Sequence, residues 1–226
     1  MKKIILVLAA LLLTVGAQAQ LGVKYGVKAG LNMSQLGGGT VKIGGESEDF
    51  DASDMLVGFH VGAFLNVGLA DIIGLQPEIV YSFQGGNEDG EHTNLHFINV
   101  PVLLDIKVMP YLSFLVGPQV GLNVYRSMSY DGLSVSGSTL DDALENVFEN
   151  ATGVAGTGGM KINTLDIAAV IGVQFTVPVI ENLTIGARYN FGLTPARGVT
   201  SEAKDFGISM SGSANRVIQV SVGWAF

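Results

Sequence analysis

The last ten residues, VIQVSVGWAF, place an apolar side chain at every second position. Ile218, Val220, Val222, Trp224 and Phe226 alternate with Val217, Gln219, Ser221, Gly223 and Ala225, which is the period of a β-strand with one apolar face. The same alternation recurs from Val23 to Ser34, Met55 to Leu69, Ile73 to Gln84, Leu95 to Lys107, Leu112 to Arg126, Leu165 to Val177 and Leu183 to Leu193, with the last strand from Asn215 to Phe226. Strands of soluble proteins cluster near about 5–6 residues. A tilted strand that crosses a bilayer needs about 9–11, and all eight segments reach that length.

The connections alternate strictly between short and long. ADI, MPY and PVIEN are tight, whereas QLGGGTVKIGGESEDFDASD, GGNEDGEHTN, the stretch from Ser127 to Thr164 and TPARGVTSEAKDFGISMSGSA are long. Short turns at one end, long loops at the other and an even strand count predict an antiparallel transmembrane barrel with both termini in the periplasm. The face opposite the apolar one carries Gly26, Gly30, Gly58, Gly62, Gly68, Gly117, Gly121, Gly172, Gly186, Gly192 and Gly223, interleaved with Gln, Asn and Ser. An eight-stranded interior is just wide enough for side chains to fill, so this small, polar face points inward and the apolar face meets lipid. Tyr25, Tyr111, Trp224 and Phe226 then fall near the periplasmic rim, and Phe59, Tyr81, Phe83 and Phe191 near the outer rim, as two interfacial girdles.

Composition changes the picture in two ways. The 226 residues are 48% hydrophobic and 14% charged with 31 glycines, whereas a soluble domain carries about 25% charged residues and about 7% glycine. The N-terminus pairs Lys2 and Lys3 with an apolar run from Ile4 to Val15 and the small-residue site Ala17-Gln18-Ala19. This predicts a signal peptide over 1–19 and a barrel domain over 20–226, since a spanning helix needs about 20 apolar residues. The chain has no cysteine, hence neither a disulfide framework nor a lipid-anchored cysteine. Without the leader lysines ten basic side chains face 20 acidic ones, which argues against a nucleic-acid partner.

The ending in Trp224 and Phe226 resembles the C-terminal signature of outer-membrane barrels, and the resemblance implies that these residues serve as an assembly signal for the barrel-insertion machinery. YGVKAGLNMSQL, GFHVGAFLNVGL, LQPEIVYSFQGG and NLHFINVPVLLDIKV, continued by GPQVGLNV and IGARYNFGLTP, resemble the small outer-membrane β-barrel family of Bacteroidota labelled PorT-like or porin-family. The resemblance covers nearly all of the chain after the leader. It implies an outer-membrane address, with lipid and lipopolysaccharide around the wall. The family's namesake is linked to protein secretion and maturation, but no motif here carries that role over, and the porin label does not establish a pore.

Strand parity turns Lys24, Lys28, His60, Glu78, Asn99, Asp105, Lys107, Gln119, Gln174 and Arg188 inward. Charge in a narrow dry space must be paired. Lys28, Glu78 and Arg188 fall at mid-height, so Glu78 is expected to bridge to Arg188, Lys28 or both in a lumen network that also includes His60 and Asp105. The network reads either as a structural plug or as a gated ion path.

His60, His92 and His96 are the candidate general bases of a membrane hydrolase, but no G-x-S-x-G motif accompanies them. Glu46, Glu48, Asp49, Asp51 and Asp54 could gather a hard cation, although their spacing matches no EF-hand and a solvated acidic loop explains them. DDALENVFENATG predicts a short helix from Leu140 to Glu149 that caps the mouth or meets a partner. GVAGTGGMK lacks the Gly-Lys-Ser/Thr ending of a phosphate loop. The sequence thus predicts a single-domain, eight-stranded outer-membrane barrel with a plugged lumen. It is expected to be non-enzymatic, without cofactor or metal, and to meet an envelope protein partner through its long loops. The alternative is a narrow channel or carrier for small solutes.

Overall fold

The computed structural model describes residues 22–43, 45–88, 91–130, 133–138, 160–162, 164–195, 197–199, 209–212 and 214–226. The expected leader over 1–19, its cleavage site and the Leu140–Glu149 helix lie outside the described residues.

Eight long strands form the wall: β1 (Val23–Leu36), β4 (Asp54–Ala70), β5 (Ile73–Glu88), β6 (Glu91–Met109), β7 (Leu112–Tyr130), β10 (Leu165–Thr176), β11 (Leu183–Pro195) and β14 (Ala214–Ala225). Six short ones lie in the long connections: β2 (Gly39–Ile43), β3 (Glu46–Phe50), β8 (Leu133–Ser138), β9 (Met160–Ile162), β12 (Arg197–Val199) and β13 (Ser209–Gly212). Each wall strand pairs antiparallel with its two neighbours in the ring β1-β4-β5-β6-β7-β10-β11-β14. The ring closes where β14 returns to β1, with Gly26 opposite Ala225 and Leu36 opposite Asn215. Closure satisfies backbone groups that lipid could not, and leaves the wall no free edge.

The alternation in the sequence is the pleat of these strands. Leu31, Val57, Val61, Ile79, Val120, Ile171, Ile185 and Val222 form an exposed apolar band around the ring. Their neighbours along each strand are buried inside, among them Lys28, Asn32, His60, Glu78, Asn99 and Arg188. In water such a band would far exceed the few hundred Å² that soluble monomers expose as one apolar patch. The lumen tolerates little bulk: a Cβ on Gly30 would lie 2.0 Å from the Val220 carbonyl oxygen and 2.7 Å from His60 Cε1.

The two ends differ as the loop lengths require. Strand turns at 71–72, 110–111 and 177–182 share one end with Tyr25 and Phe226. At the other end the ribbons extend past the expected boundaries. The stretch GGNEDGEHTN, expected as a loop, is mostly strand, with Gly85 opposite Asn94 and Glu88 opposite Glu91. The first long connection is also structured: β2 and β3 form a hairpin whose turn residue Gly45 has φ of 97°, a left-handed conformation that favours glycine. Strand β13, from the last connection, adds to β2, and β9 pairs with β12. The long connections are therefore tied to one another rather than independent.

Candidate functional site

The lumen is layered, and each layer follows from which polar side chains the pleat turns inward. At mid-height Glu78 accepts two hydrogen bonds from Arg188, Nη1 to Oε2 at 2.9 Å and Nη2 to Oε1 at 3.0 Å. Lys28 Nζ donates to Glu78 Oε2 at 2.6 Å. Strands β5 and β11 lie four steps apart in either direction around the ring, so the Glu78–Arg188 pair crosses the full width of the lumen.

The charge balance of this layer is completed toward the short-turn end. Gln76 Nε2 donates to Glu78 Oε1 at 2.8 Å, while Asn66 Nδ2 donates to Gln76 Oε1 at 3.0 Å and to Asp105 Oδ2 at 2.6 Å. Two cations and two carboxylates are thus connected through two amides. Asp105 joins the network through these amides and not by an ion pair to Lys28 or Arg188.

His60 belongs to a different cluster, one layer nearer the outer end. Its Nδ1 lies 2.7 Å from Asn32 Oδ1, which also accepts from Gln219 Nε2 at 3.0 Å. Asn32 Nδ2 donates to Ser82 Oγ at 2.8 Å, and Gln84 Nε2 donates to the same oxygen at 2.7 Å. Asn215 Nδ2 bonds to Gln84 Oε1. The sequence reading missed Asn32, Asn66, Gln76, Gln84 and Asn215, although strand parity alone turns them inward.

The opposite wall is apolar where the sequence reading expected small or polar groups. Leu103, Leu115 and Val170 form a buried cluster beside the charged layer, and Leu36 meets Leu95 and Phe97 toward the outer end. The remaining inward candidates differ in burial: Asn99 and Gln119 are buried, Gln174 is half-buried, and Lys24 and Lys107 are exposed at the short-turn end.

On the outside wall His96 sits in an aromatic group. Its Nδ1 lies 2.5 Å from the Tyr81 hydroxyl, and its ring contacts Phe83 and Tyr125, with Phe59 beyond. Phe191 lies on another part of the wall, opposite Arg216 of β14. At the short-turn rim Tyr25 stacks on Phe226, with centroids 5.6 Å apart, while Tyr111 and Trp224 are exposed there. The side chain of His92 lies outside the described residues.

The acidic hairpin is solvated: Glu46, Glu48, Asp49, Asp51 and Asp54 are exposed, and Asp49 Oδ1 accepts from Thr40 Oγ1 at 2.7 Å. Among the described residues no group of three or more His, Cys, Asp or Glu is arranged to hold a metal ion.

A closed ring of eight strands with an apolar exterior and a charged interior is the architecture of a membrane barrel. The sequence pattern of a family described as outer membrane protein beta-barrel domain matches residues 17–197. The chain belongs to this family. This outer-membrane barrel is accordingly a protein of the Gram-negative outer membrane. No curated protein matches it in sequence.

Among solved structures it is similar to Neisserial surface protein A, with 13% identity, a TM-score of 0.49, and coverage of 91% of this chain and 99% of that one. It is also similar to Ail, the attachment invasion locus protein of Yersinia pestis, solved with the heparin analogue sucrose octasulfate, at 15% identity, a TM-score of 0.44, and coverage of 90% and 99%. A third is the outer membrane protein OprG from Pseudomonas aeruginosa, at 12% identity, a TM-score of 0.45, and coverage of 90% and 95%.

Proposed function

We propose that this barrel is a non-enzymatic module of the cell envelope whose lumen is plugged and whose outer-end hairpins and loops make its contacts. The observation that carries this reading is the bidentate Glu78–Arg188 pair across opposite strands. Breaking a buried pair of this kind costs about 3–5 kcal/mol, so the layer is a barrier and not a dynamic gate at rest. The contact of Leu36 with Leu95 and Phe97 adds a second constriction.

The surroundings of the histidines favour the same reading. His60 bonds to an amide and His96 to a tyrosine on the outer wall, whereas a hydrolytic base is oriented by a carboxylate and aimed at a nucleophile.

The finer relationship we propose is to the PorT-like barrels of Bacteroidota, supported by the strand motifs quoted above. Export by a signal peptide over 1–19 and insertion through Trp224 and Phe226 complete the proposal, with lipid and lipopolysaccharide around the wall and an envelope protein at the outer end.

The test is a pull-down of the tagged barrel from gently solubilised outer membranes, beside a variant in which Gly39–Phe50 is replaced by a short Gly-Ser turn. A stoichiometric partner held by the wild type and lost from the variant is expected. Recovery of the wild-type barrel alone contradicts the interaction reading. Solute-dependent swelling of proteoliposomes would instead favour the narrow channel or carrier.

A further inference from the structure

Arg216 of β14 is a cation on the apolar side of the wall. It alternates with the buried Asn215 and Val217, so its side chain points outward, where it is exposed. Between the two rims the other charged side chains described, Lys28, Glu78, Asp105, Asp166 and Arg188, are buried inside. Among the described residues no carboxylate pairs with Arg216. An arginine on the lipid face is costly at the bilayer midplane and costs little at the interface, so its height decides what it meets.

The register fixes that height. Trp224 stands between Leu183 and Val27 at the short-turn rim, and Arg216 stands between Phe191 of β11 and Gln35 of β1. The outward positions of β14 between these two are Val222, Val220 and Ile218, all apolar. Eight positions separate Arg216 from Trp224. At about 3.4 Å per residue and a tilt of about 40°, that is about 20 Å of height, close to the apolar band of about 25 Å in membrane barrels. A long side chain rising from there carries its guanidinium to the outer headgroup level. Below it, Val222 faces the exposed Ala29 and Val220 the exposed Ala187, so β14 stands up as a ridge with a shallow recess on either side. Toward the same outer rim, β4 to β7 present Phe59, Phe83, His96 and Tyr125 instead. The outer rim is thus aromatic on one side and cationic at the seam where β14 meets β1.

We infer that the β14–β1 seam holds one phosphorylated lipid of the outer leaflet, its phosphate bound by Arg216 and its acyl chains lying along the β14 ridge. This rests on the reading that lipopolysaccharide surrounds the wall, and it names the residue that makes the contact. The long connections put this rim at the outer leaflet. A guanidinium offers N–H donors in a planar fork that matches phosphate, and it is weakly hydrated, so it gives up water readily there. The neighbouring Gln35 amide is already engaged, since Nε2 donates to the Ser53 carbonyl at 2.8 Å. Recognition therefore falls to Arg216.

The test is native mass spectrometry of the whole barrel, released from detergent micelles that contain either phosphorylated lipid A or the same lipid A with its phosphates removed. Heat-modifiability shows that each variant is folded. The wild type is expected to retain one phosphorylated lipid and to prefer it over the dephosphorylated form by about tenfold or more. Arg216→Gln is expected to lose that preference and Arg216→Lys to keep part of it. Lys42→Gln, which removes an exposed cation of the first hairpin, is expected to keep all of it. Equal retention of the two lipids by the wild type, or an undiminished preference in Arg216→Gln, overturns the site while leaving lipopolysaccharide around the wall. A preference lost equally in Lys42→Gln shows an effect of net charge and overturns it too. Failure of the wild type to retain lipid A in either form removes the underlying reading as well.

Discussion

Glu78 and Arg188 stand on opposite strands of the ring and are joined by two parallel hydrogen bonds of 2.9 and 3.0 Å. Both side chains are almost entirely withdrawn from solvent. A fork-to-fork pair combines charge with directional geometry, and here it ties β5 to β11 through the interior as the backbone ladder ties neighbours along the wall.

Removing one member leaves buried charge uncompensated. Glu78→Ala should lower the stability of the refolded barrel by about 3–5 kcal/mol, read as a fall in the urea midpoint in lipid vesicles. The triple variant Lys28→Met, Glu78→Leu, Arg188→Met removes all three charges and should recover most of that loss. A triple variant no more stable than Glu78→Ala would show that the ion pairs are not the source of the cost.

The lumen leaves no room for a methyl group at Gly30, where it would press on the Val220 carbonyl and on His60. Gly30→Ala should therefore cost about 1–3 kcal/mol through overpacking, measured in the same unfolding assay. Gly22, whose added Cβ would meet nothing within 4 Å, is the matched control and should show no change on replacement by Ala.

Phe226 is engaged twice at the seam: its ring stacks on Tyr25 and its N–H donates to the Tyr25 carbonyl at 2.7 Å. Tyr25→Ala removes the stacking alone and should cost about 0.5–1.5 kcal/mol with normal delivery to the outer membrane. Deleting Phe226 should leave the protein in the periplasm or degraded. Equal outer-membrane yield and normal heat-modifiability of the truncated protein would contradict a role in assembly.

Trp224 is the sole tryptophan and projects from the outer wall of β14 at the short-turn rim. Aromatic girdles sit at the headgroup boundary. Brominated lipids should quench its fluorescence most strongly when bromine is near the headgroup, and weakly when bromine is at the chain terminus. The reverse order would move the rim into the hydrocarbon core.

The fold was legible because its two signals are local. Period-two alternation is set by the pleat, and the contrast between ADI and the stretch from Ser127 to Thr164 fixes which end carries the turns. Lumen details were less legible for physical reasons. In β6 the run LHFINVPVLLDI is apolar on both faces, so Leu95, Phe97 and Leu103 do not stand out as inward groups. Lys28, Glu78 and Arg188 meet where inward parity and strand height coincide. His60 separates from them because its Nδ1 bonds to Asn32, which Gln219 also holds, and no spacing along one strand encodes a contact between strands β1, β4 and β14. The sheet of β13, β2 and β3 joins connections far apart in sequence, which alternation within either cannot reveal.

The proposed plug is tested most directly by single-channel recording of the purified wild-type barrel in planar bilayers at neutral pH. The Glu78–Arg188 pair and the Leu36, Leu95 and Phe97 contact predict a flat trace at all applied voltages. Steady, reproducible openings of the folded, heat-modifiable protein would contradict the plug and make this barrel a channel.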